Sequence, residues 1–263
     1  SSSSSPSSPS STSGIQSEQE KLLNTCCDIL SNAFTQFATP YDRLDCTDKL
    51  DDGVFFDLLE DEFGKDATEL IDAVEDADTE AIFNLVLLGH PVNGYDEDGF
   101  TPLLMACSCG HAQIVHLLME LGARVNMAGI NKSTPLHAAI QANFPPVFNF
   151  LMDCRPNITK TMEGGRTALH LAAEEGHRWA LSQLLKQKAD VDLTTDQGLS
   201  PLHLAAQGNH LKCVKALVDA DADVNVEDER RISPLMVAIC KRNQAIVQLL
   251  LEHGADVDCG PEL

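Results

Sequence analysis

Long apolar runs are missing from this chain. No stretch approaches the roughly 18 consecutive apolar residues of a membrane-spanning helix, so helical insertion into a bilayer is excluded. Positive charge is also scarce, with 18 Lys and Arg against 40 Asp and Glu and a net charge of −22. The deficit is shared, at −9 on residues 1–66 (4 basic, 13 acidic) and −13 on the remainder (14 basic, 27 acidic). Such a field repels nucleic acid and anionic lipid and favours partner proteins with basic surfaces. Aromatic residues make up only 5% of the chain, yet Phe144, Phe148 and Phe150 fall close together. The nine cysteines are an odd set without a regular framework. A disulfide scaffold is therefore not expected, and a reducing compartment is, either the cytoplasm or the nucleus. No secretory signal is visible, and the missing initiator Met makes a trimmed or partial chain the expectation.

What the chain does have is a period. Thr167-Ala168-Leu169-His170-Leu171-Ala172-Ala173, followed by Glu174-Glu175-Gly176-His177, recurs in versions that start at Thr101, Thr134, Ser200 and Ser233. Every step is 33 residues, with no insertion or deletion. A strict period of this length marks a solenoid whose units bury their apolar faces against one another. The Thr or Ser that opens each unit is a helix N-cap, worth about 1 kcal/mol through its bond to a free first-turn N–H. Pro102, Pro135, Pro201 and Pro234 follow at the first helical position, where a missing N–H costs nothing. Gly110, Asn143, Gly176 and Asn209 then stand where the chain reverses, and both residue types tolerate a left-handed backbone. A second helix follows, over Ala112 to Leu121 or Ala245 to Glu252, and Gly122 and Gly254 end it.

The unit resembles the ankyrin repeat. Thr-Pro-Leu-His-Ala-Ala at 134, Ser-Pro-Leu-His-Leu-Ala-Ala at 200 and Gly-Ala-Asp-Val at 254 carry the likeness, which covers roughly residues 64 to 260. It implies an all-α solenoid of helix-turn-helix units joined by short β-hairpin-like turns. The domains expected are a Ser/Pro-rich disordered tail at 1–16, an acidic segment at 17–63 and a polar capping repeat at 64–93. Repeats 94–126, 127–159, 160–192, 193–225 and 226–258 and a tail at 259–263 follow. The last unit still carries Ile246, Val247, Leu249, Leu250 and Leu251, like an internal one. Either the chain continues beyond it or something else covers that face.

Two segments leave alternatives open. After the capping box Ser17-Glu18-Gln19-Glu20, Leu22 to Phe37 form an amphipathic helix that either packs on the rest of the chain or docks a partner. Val54 to Phe63 mixes bulky apolar residues with acids; it either covers the end of the stack or acts like the acidic-hydrophobic motifs of transcriptional activators. The phenylalanines of 144–150 are either local repacking around Pro145 and Pro146 or a contact patch on the outer side.

Chemistry is thin. Cys107, Cys109 and His111 are spaced like metal ligands, but the repeat explains each separately. His137, His170 and His203 resemble the family histidine that bonds neighbouring backbone and ties repeats together; Leu104 and Met236 replace it in two units. No catalytic triad or phosphate loop is present in the sequence, so no enzyme and no cofactor is expected.

In ankyrin proteins the turn tips and the exposed ends of the first helices line a groove that grips other proteins. Carried onto this sequence, the tips are Glu97, Asp98 and Phe100; Ile130, Asn131 and Ser133; Glu163, Gly164 and Arg166; Asp196, Gln197 and Leu199; and Glu229, Arg230 and Ile232. Glu174, Glu175 and Lys241 stand at first-helix ends. Phe100, Ile130, Leu199 and Ile232 are the expected apolar anchors. The acids either attract a basic partner or only keep the solenoid soluble. Asn225, with Leu217 eight residues before it and Asp223 two before, resembles ankyrin sites hydroxylated on Asn. The expected function is an intracellular adaptor, scaffold or inhibitor. The alternative is a transcriptional regulator whose acidic segment recruits a coactivator while the repeats select the target.

Overall fold

The computed structural model describes residues 66–257. The expectations for the tail at 1–16, the acidic segment at 17–63 and the tail at 259–263 lie outside the described residues. Within them are twelve α-helices in six pairs. These are α1 (Thr68–Glu75) with α2 (Thr79–Leu87), α3 (Pro102–Cys109) with α4 (Ala112–Glu120), and α5 (Pro135–Gln141) with α6 (Pro145–Asp153). Then come α7 (Ala168–Glu174) with α8 (Arg178–Lys186), α9 (Pro201–Gln207) with α10 (Leu211–Val218), and α11 (Pro234–Cys240) with α12 (Gln244–Glu252). The observed ends differ by one residue from those read in the sequence, within the fraying of any helix terminus.

Helices this short are marginal alone, since an isolated helix in water needs about 12–15 residues. They persist because they stack. The first helices of successive pairs pack side by side in one layer, and the second helices from α4 onward pack in another. Ala106, Ala139, Ala172, Ala205 and Ala238 recur at the 33-residue step and are all fully buried. A side chain of one methyl there lets neighbouring first helices approach closely. The first helices are enclosed almost all round, with six of seven residues of α7 and of α9 buried. The second helices bury one face only, such as Ala180, Leu181 and Leu184 of α8. In α1, Asp72 and Glu75 are exposed, as expected of a unit with one side in water.

The backbone turns left-handed at three registers per repeat. Between paired helices, Gly110, Asn143, Gly176 and Asn209 have φ of 76°, 59°, 73° and 64°. Ala77 and Arg242 hold the same conformation in the first and last pairs (57° and 58°) without the residue types that favour it. The other two registers follow each second helix and close each tip. Gly164, at φ 79°, is the one left-handed residue outside all three registers among the described residues. It lies in the tip between β1 (Thr161–Met162) and β2 (Arg166–Thr167), an antiparallel pair that realises the expected hairpin.

The proline-rich start of α6 is tolerated, and its aromatic residues turn inward. Phe148 is fully buried and meets Trp179 of α8 edge-on, with ring centroids 5.0 Å apart; Phe150 lies 5.0 Å from the His116 ring of α4. Phe148 is therefore packing between second helices and unavailable as an outer contact, while Phe144 and Phe150 are half-buried. At the far end, Ile239 is 55% exposed, although Cys107, Ile140, Ala173 and Ala206 at the same register are wholly buried. Leu251 and Val257 are exposed as well, but of the face expected of the last helix Ile246 and Leu250 are buried in the stack and Val247 and Leu249 half-buried, so only part of it is open.

Phe148→Ala should cost about 3–5 kcal/mol, the usual range for deleting a buried ring. Because Trp179 is the single tryptophan, its emission should shift to the red in the folded variant, and urea titration followed at that wavelength measures both effects.

Candidate functional site

Each tip is braced from within. The Asp96 carboxylate accepts the Phe100 N–H (2.7 Å), and Asp228 accepts those of Arg230 and Ile232 (2.9 and 2.7 Å). Asn131 Oδ1 accepts the Ser133 N–H, and Thr195 Oγ1 accepts the Leu199 N–H. The tips are also joined to one another. The Ile130 N–H donates to the Gly99 carbonyl (3.1 Å), Glu163 to Asn131 (3.2 Å), Asp196 to Gly164 (3.0 Å) and Glu229 to Gln197 (3.2 Å). The result is a continuous row of five tips, ordered before any partner arrives.

Along that row Glu97, Asp98, Ile130, Asn131, Glu163, Asp196, Gln197, Glu229 and Arg230 are all exposed. The expected anchors divide. Ile130 is 78% exposed, but Phe100, Leu199 and Ile232 are half-buried, because each precedes a helix cap and turns its side chain toward the stack. Ser133, read as a tip residue, is buried. Arg166 and Glu174 pair with each other at 2.9 Å, so the acidic groove expected around Glu174 is partly neutralised from within the same repeat. Glu175 and Lys241 are exposed at the first-helix ends.

Below the tips lie the histidines. Thr134 and Thr167 form capping boxes: each side chain faces the N–H of the histidine three residues on, as expected of an N-cap, and its hydroxyl also lies 2.8 Å from Nδ1 of that His137 or His170. The backbone N–H of each threonine donates to the same nitrogen at 3.2 Å. Ser200 and His203 repeat the arrangement. Two donors converging on Nδ1 leave the imidazole proton on Nε2. From there His170 donates to the Leu199 carbonyl (3.2 Å) and His203 to the Ile232 carbonyl (2.9 Å), tying each first helix to the next repeat's hairpin. His137 makes no such tie: its buried Nε2 has no partner in hydrogen-bond geometry, and the Lys160 backbone lies only near enough to favour the charged ring weakly. Burial pushes the pKa of His137 and of His170 down to about 4 and lowers that of His203. Neighbouring backbone, at Lys160, Leu199 and Ile232 respectively, opposes the shift only in part. Imidazoles engaged on both nitrogens, as in His170 and His203, are structural pins.

Two further sets of ties escaped the sequence reading. The His111 Nε2 bonds the Glu75 carbonyl (3.2 Å) and the His210 Nε2 that of Glu174 (2.8 Å), each reaching back one repeat. On the other side of the stack, polar residues at the 33-residue step reach forward. Asn93 Oδ1 accepts the Arg124 N–H, Asn126 accepts from Asn157, and Asp192 accepts from Asp223. Asn225 belongs to this ladder: its Oδ1 accepts the Asp256 N–H (2.8 Å), and its amide donates to the Gly254 carbonyl (3.3 Å). The recurrence of Asn or Asp at 93, 126, 192 and 225 was the available signal.

A family model for ankyrin repeats (three copies) matches residues 70–162, 131–195 and 169–260, most of the chain. The chain belongs to the ankyrin repeat family. The crystal structure of the human ASB11 ankyrin repeat domain is similar to this ankyrin chain at 26% identity and a TM-score of 0.65, covering 73% of this chain and 86% of that one. Among curated proteins, none matches by sequence. Matches to 568 solved chains show how common the fold is, a breadth that chooses no partner. Ankyrin repeats are general protein–protein interaction modules, and among the described residues no helix is long and apolar enough to cross a membrane.

The buried histidines set a pH dependence. Their folded pKa values lie below the roughly 6.5 of an unfolded chain, so on acidification the unfolded state takes up protons first. For His137 and His170 this stability is full above about pH 6.5 and drains as pH falls toward 4, by up to about 1.4 kcal/mol per pH unit each, and His203 adds to the loss in the same direction. Urea midpoints should therefore fall between pH 7.5 and 5, and less steeply in His170→Gln. At pH 7.5, His137→Gln should cost about 1 kcal/mol less than His170→Gln, because only His170 carries a cross-repeat bond.

Proposed function

We propose that this ankyrin protein is an intracellular adaptor or inhibitor, without catalytic activity, that grips a partner protein with a basic surface along its tip row. The observation that carries the reading is the row itself: five tips locked by backbone bonds, with Glu97, Asp98, Glu163, Asp196 and Glu229 exposed on them and Glu175 behind. Order before binding lowers the entropic cost of association. Like charges held together repel in the free protein, and a cationic partner relieves that repulsion. The net charge of −22 supports a protein partner over nucleic acid. Cys107 and Cys213 are buried free thiols used as small core residues, and burial raises the pKa of both, that of Cys213 to about 11; this favours the cytoplasm or nucleus. Hydroxylation at Asn225 belongs to the same proposal, with opening of the last repeat as its slow step.

Each exposed ion pair is worth only about 0.2–1 kcal/mol, so the acids act mainly on the association rate and on choice of partner. Reversing Glu163, Glu175 and Asp196 to Lys should slow association with the natively captured partner about tenfold and flatten its salt dependence, while urea stability stays within about 0.5 kcal/mol. Stopped-flow measurements at several salt concentrations check this. Unchanged association rates would remove the tip row from the interface.

A further inference from the structure

Ile130 breaks an otherwise uniform position. At the 33-residue step the same place is held by Glu97, Glu163, Asp196 and Glu229, all exposed acids. An isoleucine that is 78% exposed among them presents an apolar side chain to water between acids. It is also held in place. Its N–H is bound to the Gly99 carbonyl, and its side chain rests on Gly99, where an added Cβ would lie 2.5 Å from the Ile130 Cβ. Gly99 thus leaves the space in which the base of Ile130 is seated, while the rest of the side chain faces solvent. The joint to the next tip, like the one before it where Leu104 replaces the histidine, lacks the histidine tie found further along the row. The hairpins carrying Asp196 and Glu229 are pinned by His170 and His203, whereas the His137 Nε2 beneath the Glu163 hairpin has no acceptor.

Resting on the function proposed above, we infer that the tip row reads an extended segment of the partner in which one large apolar residue is flanked by cations at fixed spacing. The spacing follows from the stack. Packed helices lie about 8–10 Å apart, so tips recur at about that interval. A chain in the extended polyproline II form advances about 3.1 Å per residue with three residues per turn, so every third side chain returns to the same face about 9 Å on, one per tip. With the apolar residue on Ile130, a cation three residues to one side meets Glu97 and Asp98. Cations about three and six residues to the other side meet Glu163 and Asp196. The fifth tip contributes little, because Arg230 stands beside Glu229. The pattern is therefore lopsided, with one cation before the anchor and two after it, in one chain direction or its reverse.

The test uses the whole chain and labelled Gly/Ser-based peptides of about a dozen residues, followed by fluorescence anisotropy at low salt. One peptide carries Leu with Lys three before, three after and six after, and a second has the reverse order. A third is a scramble of the same composition, and a fourth replaces Leu with Lys. One of the two ordered peptides should bind at least tenfold tighter than the scramble. Ile130→Asp, whose urea midpoint should match the parent's, should weaken that peptide about tenfold and strengthen the all-Lys one. Equal binding of ordered and scrambled peptides, or an Ile130→Asp variant that discriminates as the parent does, overturns the inference. If such indifferent binding is still lost on reversal of Glu163 and Asp196, the spacing rule alone falls and the groove reading stands. If no cationic peptide binds, both fall.

Discussion

No repeat in this protein can bury its own first helix. Six of the seven residues of α7 are enclosed, and α5 and α9 on either side do much of the enclosing. Contact between neighbours is therefore the constraint to which the other features answer. Alanine at 106, 139, 172, 205 and 238 sets how closely the helices approach. The histidines at 170 and 203 reach forward on the inner side, those at 111 and 210 reach back, and the Asn and Asp ladder joins the far side. Each tie uses a polar side chain of one repeat to satisfy a backbone group of its neighbour, which matters most where water is excluded.

The fold was legible in the sequence because its period is rigid. A 33-residue step without insertions turns every motif residue into a register, and the left-handed turns at Gly110, Asn143, Gly176 and Asn209 fall where the residue types had placed them. Ala77 and Arg242 adopt the same backbone without that signature, so the stack imposes the conformation even where local preference opposes it. The site was less legible. Tip residues were identified by register, but register says nothing about which way a side chain turns. Phe100, Leu199 and Ile232 share one position and lean inward, while Ile130 occupies another and stands out. The Arg166–Glu174 pair joins a hairpin to the end of the following helix, eight residues apart, and no helical spacing predicts it. Nor did any local pattern distinguish His137 from His170, since their immediate surroundings match and only the next hairpin differs.

That hairpin shows how one residue perturbs a periodic structure. Gly164 turns left-handed where Asp98, Asn131, Gln197 and Arg230 do not, and the histidine below it is the one without its cross-repeat bond. The tie lost there is a buried donor, a kind of group that globular proteins seldom leave unpaired. In a globular core such a defect would be shared among many contacts. In a linear stack it stays at one joint, between the repeats that carry Ile130 and Glu163.

The row of tips has a mechanical meaning as well. In a stack whose units touch only their neighbours, fluctuations open it joint by joint, and each joint has its own resistance. A ligand lying across several tips spans those joints and has to be released before any of them can part. It works as a splint, and the weakest joint gains most from it. Affinity for a long ligand and stiffness of the bound solenoid are then one quantity measured in two ways.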